Sequence, residues 1–246
     1  MSDQEGTSRE TGLETRHGTH LAAIVTAMVF PTVAAGLYFI ILAGHPAMKV
    51  GYGAAKVVQL AFPLIWVLWV QQRRLSWSKP TRQGVGTGLA VAVAAAITGL
   101  VVYHGLLKDS SLISRMPGLI GAKTREMGLD SPGRYLAFSL FLSFPHALLE
   151  EYYWRWFIFG ELRRVTTVRT AIVVSSLAFM SHHVIIVHAF IGEPLWLIVL
   201  LSLSVAVAGG FWAWLYQRCG SLVAPWLGHV VIDAGIMLIG YDVVFG

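Results

Sequence analysis

Long apolar stretches alternate with short polar connectors along this chain, and the length of the stretches is that of a bilayer. A spanning helix needs about 20 apolar residues. Seven stretches approach that length: 21–44, 51–70, 84–105, 136–161, 170–190, 195–216 and 222–241. The predicted fold class is all-α, a polytopic transmembrane helix bundle of about seven spans. Pro31 falls inside the first span and Lys56 inside the second, which softens their edges. The fifth and sixth are separated only by Ile191–Pro194, a tight hairpin. The one sizeable connector, 106–135, carries Lys108, Arg115, Lys123, Arg125 and Arg134 with Pro117, Gly118 and Gly121. An interfacial amphipathic helix there brings the helix count to eight. The expected organisation is a polar cytoplasmic N-terminal tail (1–20), N-terminal spans and a loop (21–135), and a C-terminal transmembrane core (136–241).

Composition agrees with the pattern. The 246 residues are 56% hydrophobic and only 13% charged, where a soluble domain averages about 25% charged. Residues 1–20 are polar, with Arg9, Arg16 and three glutamates. A cleaved signal peptide would put an apolar core there, so the first apolar stretch is expected to remain as an anchor. The lone Cys219 excludes an intramolecular disulfide. The net charge of +5 is spread over connectors, which sets topology and argues for no nucleic-acid partner. With the N-terminus in the cytoplasm, that side holds Arg9, Arg16, Arg73, Arg74, Lys79, Arg82, Arg163, Arg164, Arg169 and Arg218. The other side holds Lys49 and the five basic residues of the 106–135 loop. The positive-inside rule therefore predicts a cytoplasmic N-terminus.

Against this apolar background three polar stripes stand out. Glu150 and Glu151 are adjacent, with Arg155 four residues after the second. A charge at bilayer depth costs roughly 2.5–3.5 kcal/mol on insertion scales, so three in six residues require a reason. Neighbours on a helix point about 100° apart. Glu151 and Arg155 thus share a face and read as an internal ion pair. Glu150 shares its face with His146 and Trp154 and has no local cation; a carboxylate so placed suits a general base. The second stripe is Phe179-Met180-Ser181-His182-His183, followed by His188. Phe179 and His183 stack on one face, and imidazole shuttles protons near neutral pH. The third is His229 with Asp233, four apart. Intramembrane polar residues usually face the bundle interior. If the stripes converge, they offer a carboxylate, two imidazoles and a second acid, which suffice to activate water and stabilise an oxyanion. The aromatic run Tyr152-Tyr153-Trp154, with Trp156 and Phe157, is heavier than catalysis needs and is expected mostly to pack helices and anchor the interface.

The three stripes, in this order, resemble the CPBP family of CAAX-type prenyl proteases, Abi proteins and bacteriocin-processing proteins. The resemblance rests on Glu150-Glu151-x-x-x-Arg155, Phe179-x-x-x-His183 and His229-x-x-x-Asp233, with Gly220-Ser221-Leu222-x-Ala224-Pro225 ahead of the third. It covers roughly 136–241. It implies an intramembrane endopeptidase in which Glu150, helped by His183, activates water, and His229 with residue 233 forms the oxyanion site. Glu151, Arg155, Phe179 and His146 are supporting residues in this reading. Prenyl-protease members carry Asn where this chain has Asp233. An aspartate donates a hydrogen bond only when protonated, so Asp233 is expected to orient His229. The expected cofactor is none. The alternative is Zn²⁺ held by Glu150, His183 and His229 with water in a fourth position; the soluble His-Glu-x-x-His signature is absent. The expected partners are a peptide or lipidated protein substrate and the lipid bilayer. The aromatic first stripe is similar to bacterial members that cleave C-terminal sorting tails, which points to a multi-pass protein of a bacterial inner membrane.

Three other readings use the same residues. A proton-coupled transporter employs buried Glu, His, Asp and Arg, but no inverted repeat or paired broken helices are visible. A silent scaffold would keep the stripes for stability alone. A serine protease would draw on Ser175, Ser176, Ser181, Ser202 or Ser204, none of which is singled out.

Overall fold

The computed structural model describes residues 2–75, 78–110 and 116–246, with side chains from residue 18 onward. Arg115 and the side chains of Arg9 and Arg16 therefore lie outside the described residues. In chain order the helices are α1 (Ser2–Gly36), α2 (Ala47–Ile65), α3 (Arg82–Val102), α4 (Met116–Glu126), α5 (Pro132–Phe141), α6 (Ala147–Glu151), α7 (Gly160–Val165), α8 (Val168–Ile191), α9 (Leu195–Cys219) and α10 (Val223–Phe245). Among the described residues, five π-helical turns extend or join them: Leu37–Ile41, Trp66–Val70, Tyr103–Leu107, Leu142–His146 and Tyr152–Phe159.

Local chemistry sets the helix ends. Thr81, Ser131 and Thr167 cap α3, α5 and α8 by accepting from the backbone N–H of Gly84, Arg134 and Thr170. Pro132 opens α5, where its missing N–H has no helical partner to lose. Gly220 ends α9 in the left-handed region at φ 66°, which costs glycine no Cβ clash. The hairpin expected at 191–194 joins α8 to α9. The helix expected in the 106–135 loop is α4, which packs against α8 and α10.

Among the described residues, six helical runs are long and apolar enough to cross a membrane: Gly18–Ile41, Ala47–Val70, Arg82–Leu107, Val168–Ile191, Leu195–Cys219 and Val223–Phe245. The chain is an integral multi-pass membrane protein. The span expected at 136–161 is not one of the six. Its place is taken by a continuous rod, α5 to α7, whose two widened turns flank Glu150 and Glu151. His146, Glu150, Glu151 and Arg155 make this rod too polar to read as a simple span. Pro145 lies in the first widened turn, where the loosened register tolerates a missing N–H. The indole of Trp226 on α10 donates to the Phe144 carbonyl there at 2.9 Å.

The rod touches α1, α2, α8, α9 and α10. Its aromatic run forms the main core. Tyr153, Trp154, Phe157, Ile158 and Phe159 are all but fully buried, and Tyr153 donates to the Ala27 carbonyl of α1 at 2.7 Å. Tyr152 and Trp156 lie nearer the surface, stacked 5.0 Å apart.

Without a hydrophobic drive between helices in lipid, close backbone approach through small residues supplies much of the packing. On α3, Gly88 faces the α10 backbone so closely that a Cβ would stand 2.8 Å from the Ala224 carbonyl oxygen. Gly99, on the same helix, has open space around it. Gly88→Ala should therefore destabilise the protein by about 1–3 kcal/mol through overpacking. Gly99→Ala should be neutral or stabilising by up to about 1 kcal/mol, the helix-propensity gain. Thermal unfolding in one detergent reads both; a loss for Gly99→Ala equal to that for Gly88→Ala would refute the close α3–α10 contact.

Candidate active site

The two glutamates leave α6 in different directions, as adjacent helical residues must. Glu151, 0% exposed, faces α9 and α10. One of its carboxylate oxygens lies 3.2 Å from Arg155 Nε, and the other 2.7 Å from His229 Nδ1 on α10. The guanidinium of Arg155 lies 4.5 Å over the Phe179 ring and reaches the Gly209 carbonyl on α9 at 3.4 Å. Three helical elements are thereby tied by one buried acid.

Glu150, also buried, faces imidazoles. His146 Nε2 lies 3.3 Å and His182 Nε2 3.6 Å from its Oε1, and His229 Nε2 lies 3.8 Å from its Oε2. His229 Nε2 is also 3.5 Å from Asp233 Oδ1. His183 Nδ1 bonds the Phe179 carbonyl at 2.9 Å, which leaves Nε2 free to accept. Phe179 is a hub: its ring contacts Trp154, His182, His183 and His229.

The residues expected to form the site meet in one volume, Glu150, His183, His229 and Asp233 with Glu151, Arg155, Phe179 and His146, whereas His188 makes no contact with them. Sequence spacing underrates two positions. His182 is given no role by the spacing, which favours Phe179 and His183, yet it stands nearer the carboxylate of Glu150 than His229 does. It is buried and stacks on Trp154 at an interplanar angle of 2°. Tyr52 on α2 gives no signal at all. Its hydroxyl lies 3.2 Å from His146 Nδ1 and so positions the ring that faces Glu150.

The ligand set for a cation also differs from the sequence expectation. Among the described residues, the trio whose donor atoms lie within 4.8 Å of one another is Glu150, His182 and His183. His229 is drawn away because Glu151 holds its Nδ1. Two imidazoles and a carboxylate suit zinc. A ligating histidine normally donates its other N–H to an acceptor. His183 meets that requirement through Phe179, whereas His182 Nδ1 is buried and makes no hydrogen bond. The trio is thus half prepared for a metal.

The comparisons with known proteins agree with this geometry. Residues 132–235 match the family described as Type II CAAX prenyl endopeptidase Rce1-like, over the segment that runs from the rod to α10 and carries all three stripes. No curated protein and no solved structure matches the chain. Over residues 132–235, under half of its length, the chain is similar to the Rce1-like type II CAAX prenyl endopeptidases.

Proposed function

We propose that this protein hydrolyses a peptide bond of a membrane-associated or lipidated substrate, with Glu150 as the base. The observation that carries the reading is the convergence of imidazoles from the rod, α8 and α10 on one buried carboxylate. Such a carboxylate can take a proton from water, and imidazoles 3–4 Å away can hold that water and relay the proton. The water oxygen adds to the scissile carbonyl carbon as its proton passes to Glu150. The C–N bond then breaks, and the proton moves on to the leaving amine. His182 and His183, with donor atoms within 4.8 Å of the carboxylate, are the α8 partners for that relay.

The oxyanion is met by His229. Its Nδ1–H donates to Glu151, so donation from Nε2 as well requires the doubly protonated ring. Glu151 and Asp233 flank that ring and balance its charge. Asp233 thus serves as orienting partner to His229, where an asparagine would be a direct donor. Similarity to an endopeptidase family over residues 132–235 favours hydrolysis over the transport reading of the same residues. Glu150, His182 and His183 could hold a zinc ion, which would supply Lewis-acid activation of water. The reading preferred here needs no metal, because a glutamate base with neighbouring imidazoles can already deprotonate water.

Three outcomes test these roles. Glu150→Gln should stay folded and inserted, and lower cleavage at least about 10²-fold, the lower range for a lost general base. Membrane peptides that persist uncut in cells carrying this variant identify the substrate; an unchanged membrane peptidome would count against the assignment. Glu151→Gln should be far more damaging to the fold. It leaves Arg155 as a buried unpaired charge, at about 3–5 kcal/mol, so the detergent melting temperature should fall sharply while Glu150→Gln melts near wild type. Finally, activity should survive exhaustive chelation, with no zinc at one equivalent in the purified protein by elemental analysis. Loss on chelation and recovery with Zn²⁺ would replace the metal-free mechanism.

A further inference from the structure

The ring of His146 is held at both of its nitrogens. Nε2 lies 3.3 Å from Glu150 Oε1, and Nδ1 lies 3.2 Å from the hydroxyl of Tyr52 on α2. The two rings also overlap, with planes 25° apart and centroids at 6.4 Å. Phe141, earlier on the rod, borders the imidazole with its centroid at 6.4 Å. Tyr52 is itself fixed in place. The buried Tyr38, in the π turn that follows α1, meets its ring edge-on at 5.5 Å, and the ammonium of Lys56 lies 5.3 Å over it.

The chemistry of these three groups permits one order of hydrogen bonds. An ionised carboxylate only accepts, and a neutral imidazole carries one N–H and one bare nitrogen. The bond to Glu150 therefore needs the proton on Nε2. Nδ1 is then a bare acceptor, and Tyr52 donates to it. In the opposite tautomer a bare Nε2 would face the carboxylate, lone pair against negative charge. The tautomer of a histidine is set by the bond its other nitrogen makes, and here that bond comes from Tyr52. The two oxygens of Glu150 are consequently unequal. Oε1 faces His146 at 3.3 Å and His182 at 3.6 Å, whereas Oε2 faces His229 at 3.8 Å.

We propose that Tyr52 is a positioning residue for the reaction: it locks His146 as the Nε2–H tautomer, so that His146 holds Oε1 of Glu150 and leaves Oε2 to take the proton of the attacking water. The catalytic consequence rests on the endopeptidase reading above; the tautomer does not. In the step so defined an O–H bond of water breaks, its proton bonds to Oε2, and the water oxygen adds to the scissile carbonyl carbon. The proton on His146 Nε2 stays where it is. Oε2 is the oxygen within reach of His229, so water drawn to it lies on the side of the carboxylate where the oxyanion is met. A carboxylate free to turn would present either oxygen, and a reacting atom misplaced by about 1 Å costs rate steeply.

The first measurement reads the ring directly and needs no substrate. Full-length protein in nanodiscs, carrying isotope-labelled histidine, is examined by nitrogen NMR at neutral pH. The His146 signals, identified by their loss in His146→Gln, should show a proton on Nε2 and a bare Nδ1. Tyr52→Phe removes one oxygen and should give a mixture of tautomers; Tyr52→Leu takes its place if that variant fails to fold. A proton on Nδ1 in the wild type, or signals unchanged in the variant, overturns the proposal. The second measurement uses the peptides that accumulate uncut with Glu150→Gln. Tyr52→Phe should lower kcat about tenfold, roughly the worth of one hydrogen bond, and leave KM within about twofold. In His146→Gln an amide N–H can reach Oε1 with no tautomer to choose. Adding Tyr52→Phe to that variant should therefore cost less than about twofold more. Equal losses in both backgrounds, or a rise in KM alone, would make Tyr52 a packing residue and overturn the proposal. Absence of cleavage by the wild type would sink the endopeptidase reading alone, and the NMR signals would still decide this one.

Discussion

The polar interior of the bundle is organised around one knot: the carboxylate of Glu151, with Arg155 on one oxygen and His229 on the other. Taking charges out of solvent costs several kcal/mol per ion and is tolerable only when each finds a partner. Here the acid, the cation and the ring are all less than a tenth exposed, so each depends on the other two. The knot fixes α6 against α10, and through the guanidinium it reaches the Gly209 carbonyl of α9. Once Glu151 is spoken for, helical geometry aims Glu150 about 100° away, into the imidazoles. The two neighbouring acids divide the work between them: one holds the architecture and the other remains chemically available.

The far end of the rod is pinned in the same manner. Glu161, 2% exposed, accepts from Gln71 and Arg73, both at 2.6 Å, and pairs with His20 at 2.7 Å. This second cluster joins α7 to α1 and to the segment after α2. With both ends of the reactive stretch fixed to different helices, the side chains between them are held by rigid elements instead of loops, which suits a site that needs ångström-scale positioning.

Much of this is legible in the chain alone because charge in an apolar run is so costly that every instance carries information. Glu150, Glu151 and Arg155 announce a site by expense alone, and the i, i+4 spacings of Glu151–Arg155 and His229–Asp233 match pairs present in the fold. Partners across helices are harder. Nothing in sequence spacing says that the ring of His229 turns its Nδ1 to Glu151, or that Tyr52 meets His146, because those contacts depend on helix rotation in the assembled bundle.

His182 shows why an α-helical wheel falls short here. Adjacent residues diverge on an ideal helix, so His182 and His183 are expected to serve different faces. In the fold their ring centroids are 4.1 Å apart, and donor atoms of both lie within 4.8 Å of a Glu150 oxygen. Both rings leave the regular helix α8, and the rod supplies the carboxylate that they meet. A π turn closes its bond at i+5 instead of i+4 and so rotates the succeeding residues relative to α register. With such turns at Leu142–His146 and Tyr152–Phe159, α6 is an isolated stretch of five residues between two register shifts. The first shift sets His146 at hydrogen-bonding range of both Tyr52 and Glu150. Trp154, in the second, stacks on His182 with ring centroids 5.6 Å apart. Between those turns the regular spacing still holds, since His146–Glu150 and Glu151–Arg155 both meet at i, i+4.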